Sequence, residues 1–305
     1  MHRLIAAFVV LAFVVVSLTA STFADTAGGT PQAGQPNATP VKRDIAASKK
    51  LGWRLGTQAY TFRDRSLFET IDTAKSLGLR YIEAYPGQKM SPEDTTKFNH
   101  DASPEQRAAV KQKLKEVGVV IWQYGVVDLP KDEAGSRKIF DFAKEMDVKT
   151  IVSEPKPDAM DTIEKLVKEF DIAVAIHNHP QPSRYWNPDT VLAAIEGRDP
   201  RIGACADTGH WTRSGIKPVD AMKKLEGRIK SFHFKDLGEF GKKEAHDVPW
   251  GTGVSDARAV LEEAKRQGFK GLIAVEYEHG KGPELVENVR KCVEWFDQTA
   301  KELAD

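Results

Sequence analysis

The chain has 305 residues, and its 44 Lys and Arg residues balance its 44 Asp and Glu residues, so the formal net charge is zero. Because binding to nucleic acid depends on an excess of basic residues, this balance argues against a nucleic-acid partner and against a nuclease. Apolar residues make up 41% of the chain and charged residues 29%, as in an ordinary globular protein.

The N-terminal segment has the layout of a secretory signal peptide. His2 and Arg3 precede an apolar run that continues to Val16, and small residues follow it up to Ala24. We predict cleavage after Ala24, which makes residues 1–24 a signal peptide and the mature protein periplasmic or secreted, with no membrane partner. The alternative is an uncleaved membrane anchor, because the apolar run approaches the length of a membrane span.

Residues 25–50 are rich in Gly, Pro, Thr and Ala and show no apolar period, so we predict a flexible leader. From Trp53 onward, short apolar runs with β-branched or aromatic residues alternate with helical segments. The eight runs are, in chain order, WRLGTQAYTF, RYIEAY, VVIWQYGV, TIVSEP, IAVAIHNH, IGACADTGH, IKSFHFKD and LIAVEYE.

Helices are predicted between these runs. Ser66 can cap a helix that Gly78 closes, and Pro104 can open a helix that Gly118 closes. Eight strand-like runs alternating with helices predict an α/β fold, a single-domain (β/α)₈ TIM barrel over residues 51–305. The alternative, an open doubly wound sheet, needs a glycine-rich phosphate-binding turn after its first strand, and GTQAYTF does not provide one.

Barrel enzymes carry their chemistry at the C-terminal ends of the strands, and six of the eight runs end in Asp, Glu or His. These endings contain Glu83, Glu154, His177 with His179, Asp207 with His210, His233 with Lys235, and Glu276 with Glu278. In a closed barrel the endings converge, and several carboxylates in one place repel each other unless a cation compensates. Imidazoles together with carboxylates suit Mn²⁺, Zn²⁺, Co²⁺ or Mg²⁺. We therefore predict a divalent metal site at the mouth of the barrel.

Alternation along a strand places His177 and His179 on one side of the fifth run, and His233 and Lys235 on one side of the seventh. The loop KKEAHDVPWGTG follows the seventh run, and its glycines allow tight turns. Because loops at this end of a barrel often carry function, His246 in this loop is a candidate to face the mouth. The alternative is that it belongs to a plain surface loop.

The motifs ADTGHW, FHFKD, VPWGTG and VEYE resemble those of the sugar-phosphate isomerase/epimerase family, which has a xylose isomerase-like barrel. The superfamily also contains ketose 3-epimerases, inosose dehydratases and apurinic-site endonucleases. The resemblance extends from Gly52 to Phe296, and the order and spacing of the motifs make it specific for the fold and the metal site but not for the substrate.

In the family pattern the metal ligands are an acid on the fifth strand and one residue on each of the last three strands. Matched by position, the resemblance implies Asp207, His233 and Glu276 as the ligands on those last three strands. The fifth strand departs from the family pattern, because many relatives have Glu-Asn-His where this chain has His-Asn-His. Two alternatives follow: His177 replaces the missing acid as a ligand, or Glu154 of the fourth strand supplies the carboxylate. Both can hold, because a metal ion can take five or six ligands.

The resemblance also implies the chemistry, which is proton transfer next to the carbonyl group of a sugar. The candidate bases are Glu154, His179 and Glu276, and the groups expected to hold or protonate sugar oxygens are His210, Lys235 and His246. The residues expected to contact the substrate are Glu83, Trp122, Trp186 and Trp250.

An exported member of this family is expected to meet free sugars, glycosides or oxidised sugars, because phosphorylated sugars are mainly cytosolic. The sequence therefore predicts a metal-dependent isomerase or epimerase with a small-molecule sugar substrate. A 3-keto-glycoside lyase that works by β-elimination is a close alternative, and a non-catalytic sugar-binding barrel is an alternative of another class. The sequence does not indicate an oligomeric state.

Overall fold

The computed structural model describes residues 41–305. The predicted signal peptide, residues 1–24, and the leader up to residue 40 lie outside the described residues. Among the helices from residue 41 onward, none is both long and apolar enough to cross a membrane.

Eight parallel strands form one closed barrel, which confirms the predicted single-domain TIM barrel. The strands are β1 (Trp53–Gln58), β2 (Tyr81–Ala84), β3 (Val120–Tyr124), β4 (Thr150–Ser153), β5 (Ala173–His177), β6 (Ile202–Asp207), β7 (Ile229–Phe234) and β8 (Gly271–Val275). They neighbour each other in chain order, and β8 closes the barrel on β1 through pairs such as Trp53 with Gly271. All eight C-terminal strand ends therefore point to the same mouth.

Helices connect the strands on the outside of the barrel. They are α1 (Ala46–Leu51), α2 (Leu67–Ser76), α3 (Pro104–Val117), α4 (Glu133–Glu145), α5 (Met160–Phe170), α6 (Pro188–Ile195), α7 (Thr208–Arg213), α8 (Pro218–Lys224), α9 (Ala257–Arg266) and α10 (Gly282–Ala304). The predicted signals act as expected: Ser66 caps α2 in a capping box, and Gly118 ends α3 with a φ of 76°. Two short antiparallel ribbons lie in the loops, Gln88–Lys89 with Lys97–Phe98 and Asp236–Leu237 with Asp247–Val248.

The predicted flexible leader extends to residue 50, whereas the chain is already part of the folded domain from residue 41. The backbone N–H of Val41 donates to the carbonyl of Ser76 at 3.1 Å. Arg43 forms a two-point ion pair with Asp297 of α10, with N···O distances of 2.8 and 2.5 Å, and its side chain is buried. Because a charged two-point contact restrains the chain, the residues from 41 onward belong to the folded domain.

Trp250, predicted to contact the substrate, is instead part of the core between the barrel and α10. It is 1% exposed, and its ring lies 4.4 Å from that of Phe234 and 6.5 Å from that of Phe296. The backbone N–H groups of Gly251 and Gly253 donate to Asp236 just after the end of β7, which holds this part of the loop against the strand and places Trp250 next to α10.

The Trp250→Ala variant is expected to lower the free energy of unfolding by about 3–5 kcal/mol, because it removes a buried indole and leaves a cavity. Urea unfolding of the wild type and the variant measures this loss. Trp186→Ala, at a half-buried position in the loop after β5, is the matched control and is expected to cost clearly less. Equal losses in the two variants would contradict the assignment of Trp250 to the core.

Candidate metal centre

Four buried side chains meet at the mouth of the barrel. His177 is the last residue of β5 and Asp207 the last of β6, while His233 is next to the last residue of β7 and Glu276 directly follows β8. Each offers one ligand atom, and these four atoms all lie within 4.8 Å of one another. The structure thus brings together, from four neighbouring strands, residues that are distant in sequence.

Asp207 is fixed in place by backbone and amide contacts. It is the N-cap of α7, and its Oδ1 accepts a hydrogen bond of 2.7 Å from the backbone N–H of His210. Asn178 accepts from the backbone N–H of Asp207 at 2.9 Å and donates to its carbonyl at 3.0 Å. The other carboxylate oxygen, Oδ2, therefore points towards the cluster, 3.3 Å from His177 Nε2.

The geometry of His233 and Glu276 fits a shared cation. His233 Nδ1 is buried and lies 3.1 Å from Glu276 Oε2, but it makes no hydrogen bond of suitable geometry with a group from residue 41 onward. Buried polar atoms are normally paired, so an unpaired nitrogen that faces a carboxylate oxygen fits a cation bound between them. Two imidazoles and two carboxylates are a donor set that divalent Mn, Zn, Co or Mg accepts. The residues present therefore fit a divalent metal ion, which His177, Asp207, His233 and Glu276 would hold.

Lys235 places a positive charge at the same cluster. Its Nζ is buried and lies 2.8 Å from Asp207 Oδ2 and 2.7 Å from Glu276 Oε2. Burial opposes the charge on this ammonium group, but the surrounding carboxylates outweigh burial and hold the pKa of Lys235 well above its usual value. Lys235 is therefore a permanent cation and a hydrogen-bond donor rather than a base.

Glu154 lies behind the cluster and holds two imidazoles. Its Oε1 accepts from His177 Nδ1 at 2.9 Å, from the backbone N–H of His179 at 3.1 Å and from His179 Nδ1. Burial raises the pKa of Glu154, but the hydrogen bonds from the two histidines outweigh it and lower the pKa to about 2. Because an ionised carboxylate only accepts hydrogen bonds, both Nδ1 atoms carry hydrogen, and both Nε2 atoms can keep a lone pair.

His177 contacts both Asp207 of the four-residue cluster and Glu154 behind it. Its Nε2 faces Asp207 while its Nδ1 bonds to Glu154, the arrangement in which a carboxylate orients a metal-binding histidine. Burial lowers the pKa of His177, but hydrogen bonds to Asp207 and Glu154 outweigh it and raise the pKa to about 9. His177 must therefore release a proton when it binds a metal ion. Glu154 is absent from the four-residue group but forms a second candidate group with His177 and His179, so the geometry favours His177 as the ligand of the four-residue centre.

Glu83, predicted to contact the substrate, instead lies beneath His233. Its Oε2 accepts from His233 Nε2 at 2.9 Å, and its Oε1 accepts from the amide of Gln58 at 2.9 Å. Glu83 is 0% exposed, so no sugar can reach it. Gln58 was not identified from the sequence, although a polar residue at the C-terminal end of β1 is the same signal that marked the other strands.

His210 and Arg213 lie at the rim of the cluster on α7. His210 Nε2 is 3.6 Å from Asp207 Oδ2, and its Nδ1 is 3.1 Å from the guanidinium of Arg213. Burial, reinforced by the nearby cations of Lys235 and Arg213, holds the pKa of His210 well below its usual value. His210 is therefore neutral. Arg213, one helical turn later, also pairs with Glu278 at 3.0 Å and was not identified from the sequence.

Three other predicted positions lie outside the cluster. His246 is exposed and stacks on His279 with ring centroids 4.2 Å apart. Trp186 is half-buried in the loop after β5. Trp122, predicted to line the sugar pocket, instead lines a cavity at the opposite end of the barrel, together with residues that begin strands, such as Thr150 and Gly271. Trp122 is the extra residue of a β-bulge between β2 and β3, a register shift that the sequence does not reveal.

Comparisons with known proteins agree with this architecture. A solved structure of an uncharacterised protein from Parabacteroides distasonis is 34% identical, with a TM-score of 0.66 over 81% of this chain and 99% of that one. A 3-keto-D-glucoside 4-epimerase from E. coli is 15% identical, with a TM-score of 0.60 over 81% of this chain and 99% of the epimerase, and therefore shares the fold.

A curated relative, an inosose dehydratase from Lacticaseibacillus casei, is 30% identical over 93 residues, which are 26% of this chain and 31% of the dehydratase. The match thus spans about a third of that relative's length. The model of the family described as "Xylose isomerase-like TIM barrel" matches residues 71–299, most of the barrel. The chain belongs to the xylose isomerase-like TIM barrel family.

Proposed function

We propose that this protein is a divalent-metal-dependent isomerase or epimerase that moves a proton next to the carbonyl group of a sugar or keto-sugar. The observation that carries the proposal is the buried cluster of His177, Asp207, His233 and Glu276, with an exposed histidine held beside it. The names of similar proteins support the reaction class, since one is an epimerase of a keto-glucoside and another a dehydratase.

A divalent ion, when bound, would polarise a substrate carbonyl and offset the negative charge that develops on its oxygen. The chain supplies the base. His179 is 49% exposed whereas His177 is 2% exposed, so of the two imidazoles on Glu154 only that of His179 is open to a substrate. With its Nδ1 held by Glu154, the Nε2 of His179 is the atom that takes the proton from the carbon next to the carbonyl.

The other polar groups orient the reacting parts. Lys235 offsets the negative charges of Asp207 and Glu276. As a permanent cation it donates hydrogen bonds to these carboxylates and does not remove a proton from the substrate. His210, being neutral and accepting from Arg213 at Nδ1, carries its hydrogen on Nε2 and can donate it to a sugar oxygen. Glu154 is ionised and already accepts from two imidazoles, so its role is to position them.

Elimination is the second candidate, favoured by the dehydratase relative. The C–H bond next to the carbonyl breaks and its proton goes to His179. The electron pair forms a C=C bond, the C–O bond to the neighbouring substituent breaks, and the leaving group departs with that bond pair and takes up a proton. A 3-keto-glycoside lyase would release its aglycone in this way.

The test is a panel of free ketoses and 3-keto-glycosides incubated in D₂O with metal-loaded and with metal-depleted protein. Isomerase or epimerase action is expected to give a rearranged sugar that carries deuterium at the carbon next to the carbonyl. Elimination is expected to give an unsaturated sugar and a free leaving group. Absence of both products with metal bound would contradict the proposal.

We also propose that the protein acts outside the cytoplasm, on the basis of the predicted signal peptide at residues 1–24. N-terminal sequencing of protein from the periplasmic or secreted fraction is expected to begin at Asp25. A mature chain that keeps Met1 would contradict export with cleavage.

A further inference from the structure

The N-terminal end of the barrel, opposite to the candidate metal centre, contains a cavity of about 360 Å³. Four cations line it, namely Arg54, Lys149, Lys230 and Lys270, and none of its described lining residues is acidic. Trp122, whose ring lies 4.3 Å from the guanidinium of Arg54, and Phe269 add aromatic walls. The volume is in the range of small-ligand sites, whereas this end of a TIM barrel is ordinarily filled by bulky branched side chains.

Small residues at the strand starts make the room for this cavity. Thr150 begins β4, Ala173 begins β5 and Gly271 begins β8, and all three line the cavity. Gly203 near the start of β6 lies against the neighbouring strand, because a Cβ at this position would be 1.9 Å from the carbonyl oxygen of Arg228 and 2.8 Å from Cε of Lys230. The stem of Lys230 therefore packs over a glycine, and a larger residue there would displace it.

Two β-bulges supply lining side chains of the cavity. Ile82 pairs with Ile121 and Glu83 with Gln123, which leaves Trp122 as the extra residue of β3. Between β6 and β7, Lys230 is the extra residue in the same way. Bulges reorient side chains and are frequent next to functional sites. That both bulge residues line one cavity favours a binding role over a packing irregularity.

Three of the four cations of this cavity are not neutralised by the protein. Lys149 pairs with Asp147, but among residues 41–305 neither Arg54, Lys230 nor Lys270 forms an ion pair. Burial lowers the pKa of Lys230, as expected for an ammonium group that lacks a carboxylate partner. Arg54 and Lys230 are half-buried whereas Lys149 and Lys270 are exposed, so the two half-buried cations are the ones that a bound anion would compensate most strongly.

We propose that this cavity is a binding site for a small molecule that carries an oxyanion group with at least two negative charges, such as a phosphate or a pair of carboxylates. The planar fork of Arg54 can bind two oxygens at once, and the lysines supply point charges. The site lies at the other end of the barrel from the metal centre, so it is independent of the proposed reaction. A ligand that binds only the folded protein raises its thermal stability.

The test uses inorganic phosphate and succinate as probes, each against sodium chloride at the same ionic strength, with the metal-loaded protein. The thermal midpoint and tryptophan fluorescence are expected to change with the oxyanions beyond the change with chloride. Lys230→Gln is expected to weaken binding about tenfold. Lys115→Gln, on the exposed surface of α3, removes the same charge and is expected to leave binding unchanged.

The two probes separate the sources of the oxyanion, because a response to phosphate alone indicates a phosphate ester and a response to succinate alone a polycarboxylate. No response to either beyond that to chloride would overturn the proposal. Equal effects of Lys230→Gln and Lys115→Gln, or loss of the response in Asp207→Asn, would also overturn it, since the anion would then bind elsewhere. If Lys230→Gln does not fold, Lys270→Gln at an exposed lining position gives the same test. This variant is expected to bind the oxyanion more weakly than the wild type does.

Discussion

The Asp207→Asn variant is expected to fold but to lose the metal ion and the turnover that depends on it. The amide oxygen of Asn can still accept the hydrogen bond from His210 that starts α7, so the cap is kept. The negative charge is lost, however, and with it the anionic ligand atom that faces His177 and Lys235. Since altering only the groups that orient metal ligands costs 10–100-fold in metal affinity, we expect a loss of more than about 100-fold here.

Metal content after dialysis against a metal-buffered solution measures this loss, and circular dichroism checks the fold. The control is Asp297→Asn, which removes a carboxylate of the same kind from α10, where it pairs with Arg43. That variant is expected to keep its metal. If Asp207→Asn retained metal and activity, the assignment of the centre to the ends of β5 to β8 would be wrong.

The Glu154→Gln variant is expected to lower kcat by about 10²–10⁴-fold, the range in which a positioned acid–base group contributes. The amide that replaces the carboxylate cannot fix both imidazoles in the Nδ1–H form, so the Nε2 atom of His179 would no longer be reliably available as a base. The same change also weakens the support of His177, and we expect metal affinity to fall about 10–100-fold.

Glu83→Gln is the matched comparison, because Glu83 supports a ligand histidine and no base. Its expected effect is a similar loss of metal affinity, with kcat restored when the metal concentration is raised to saturation. Glu154→Gln is expected to stay slow at saturating metal. Full recovery of both variants would contradict the role of His179 as the base and leave Glu154 as a support of the metal alone.

Much of the fold was predictable from local signals. Ser66 and Gly118 mark helix ends because capping depends on a few neighbouring backbone groups, and the eight apolar runs correspond to the eight barrel strands. The convergence of His177, Asp207, His233 and Glu276 was also predictable, since parallel strands in a closed barrel end at the same mouth.

The barrel, its mouth and the residue types of the candidate metal cluster can therefore be read from the amino-acid sequence. The depth and direction of individual side chains cannot: Glu83 lies beneath His233, Trp250 belongs to the core, and Trp122 lines the opposite end. The physical reason is that strand period reports which side a residue faces, whereas register, bulges and the folding back of loops depend on contacts between distant segments. Glu154 is a further example. Its position at the end of a strand was predictable from the sequence, but its hydrogen bonds to the imidazoles of His177 and His179 were not.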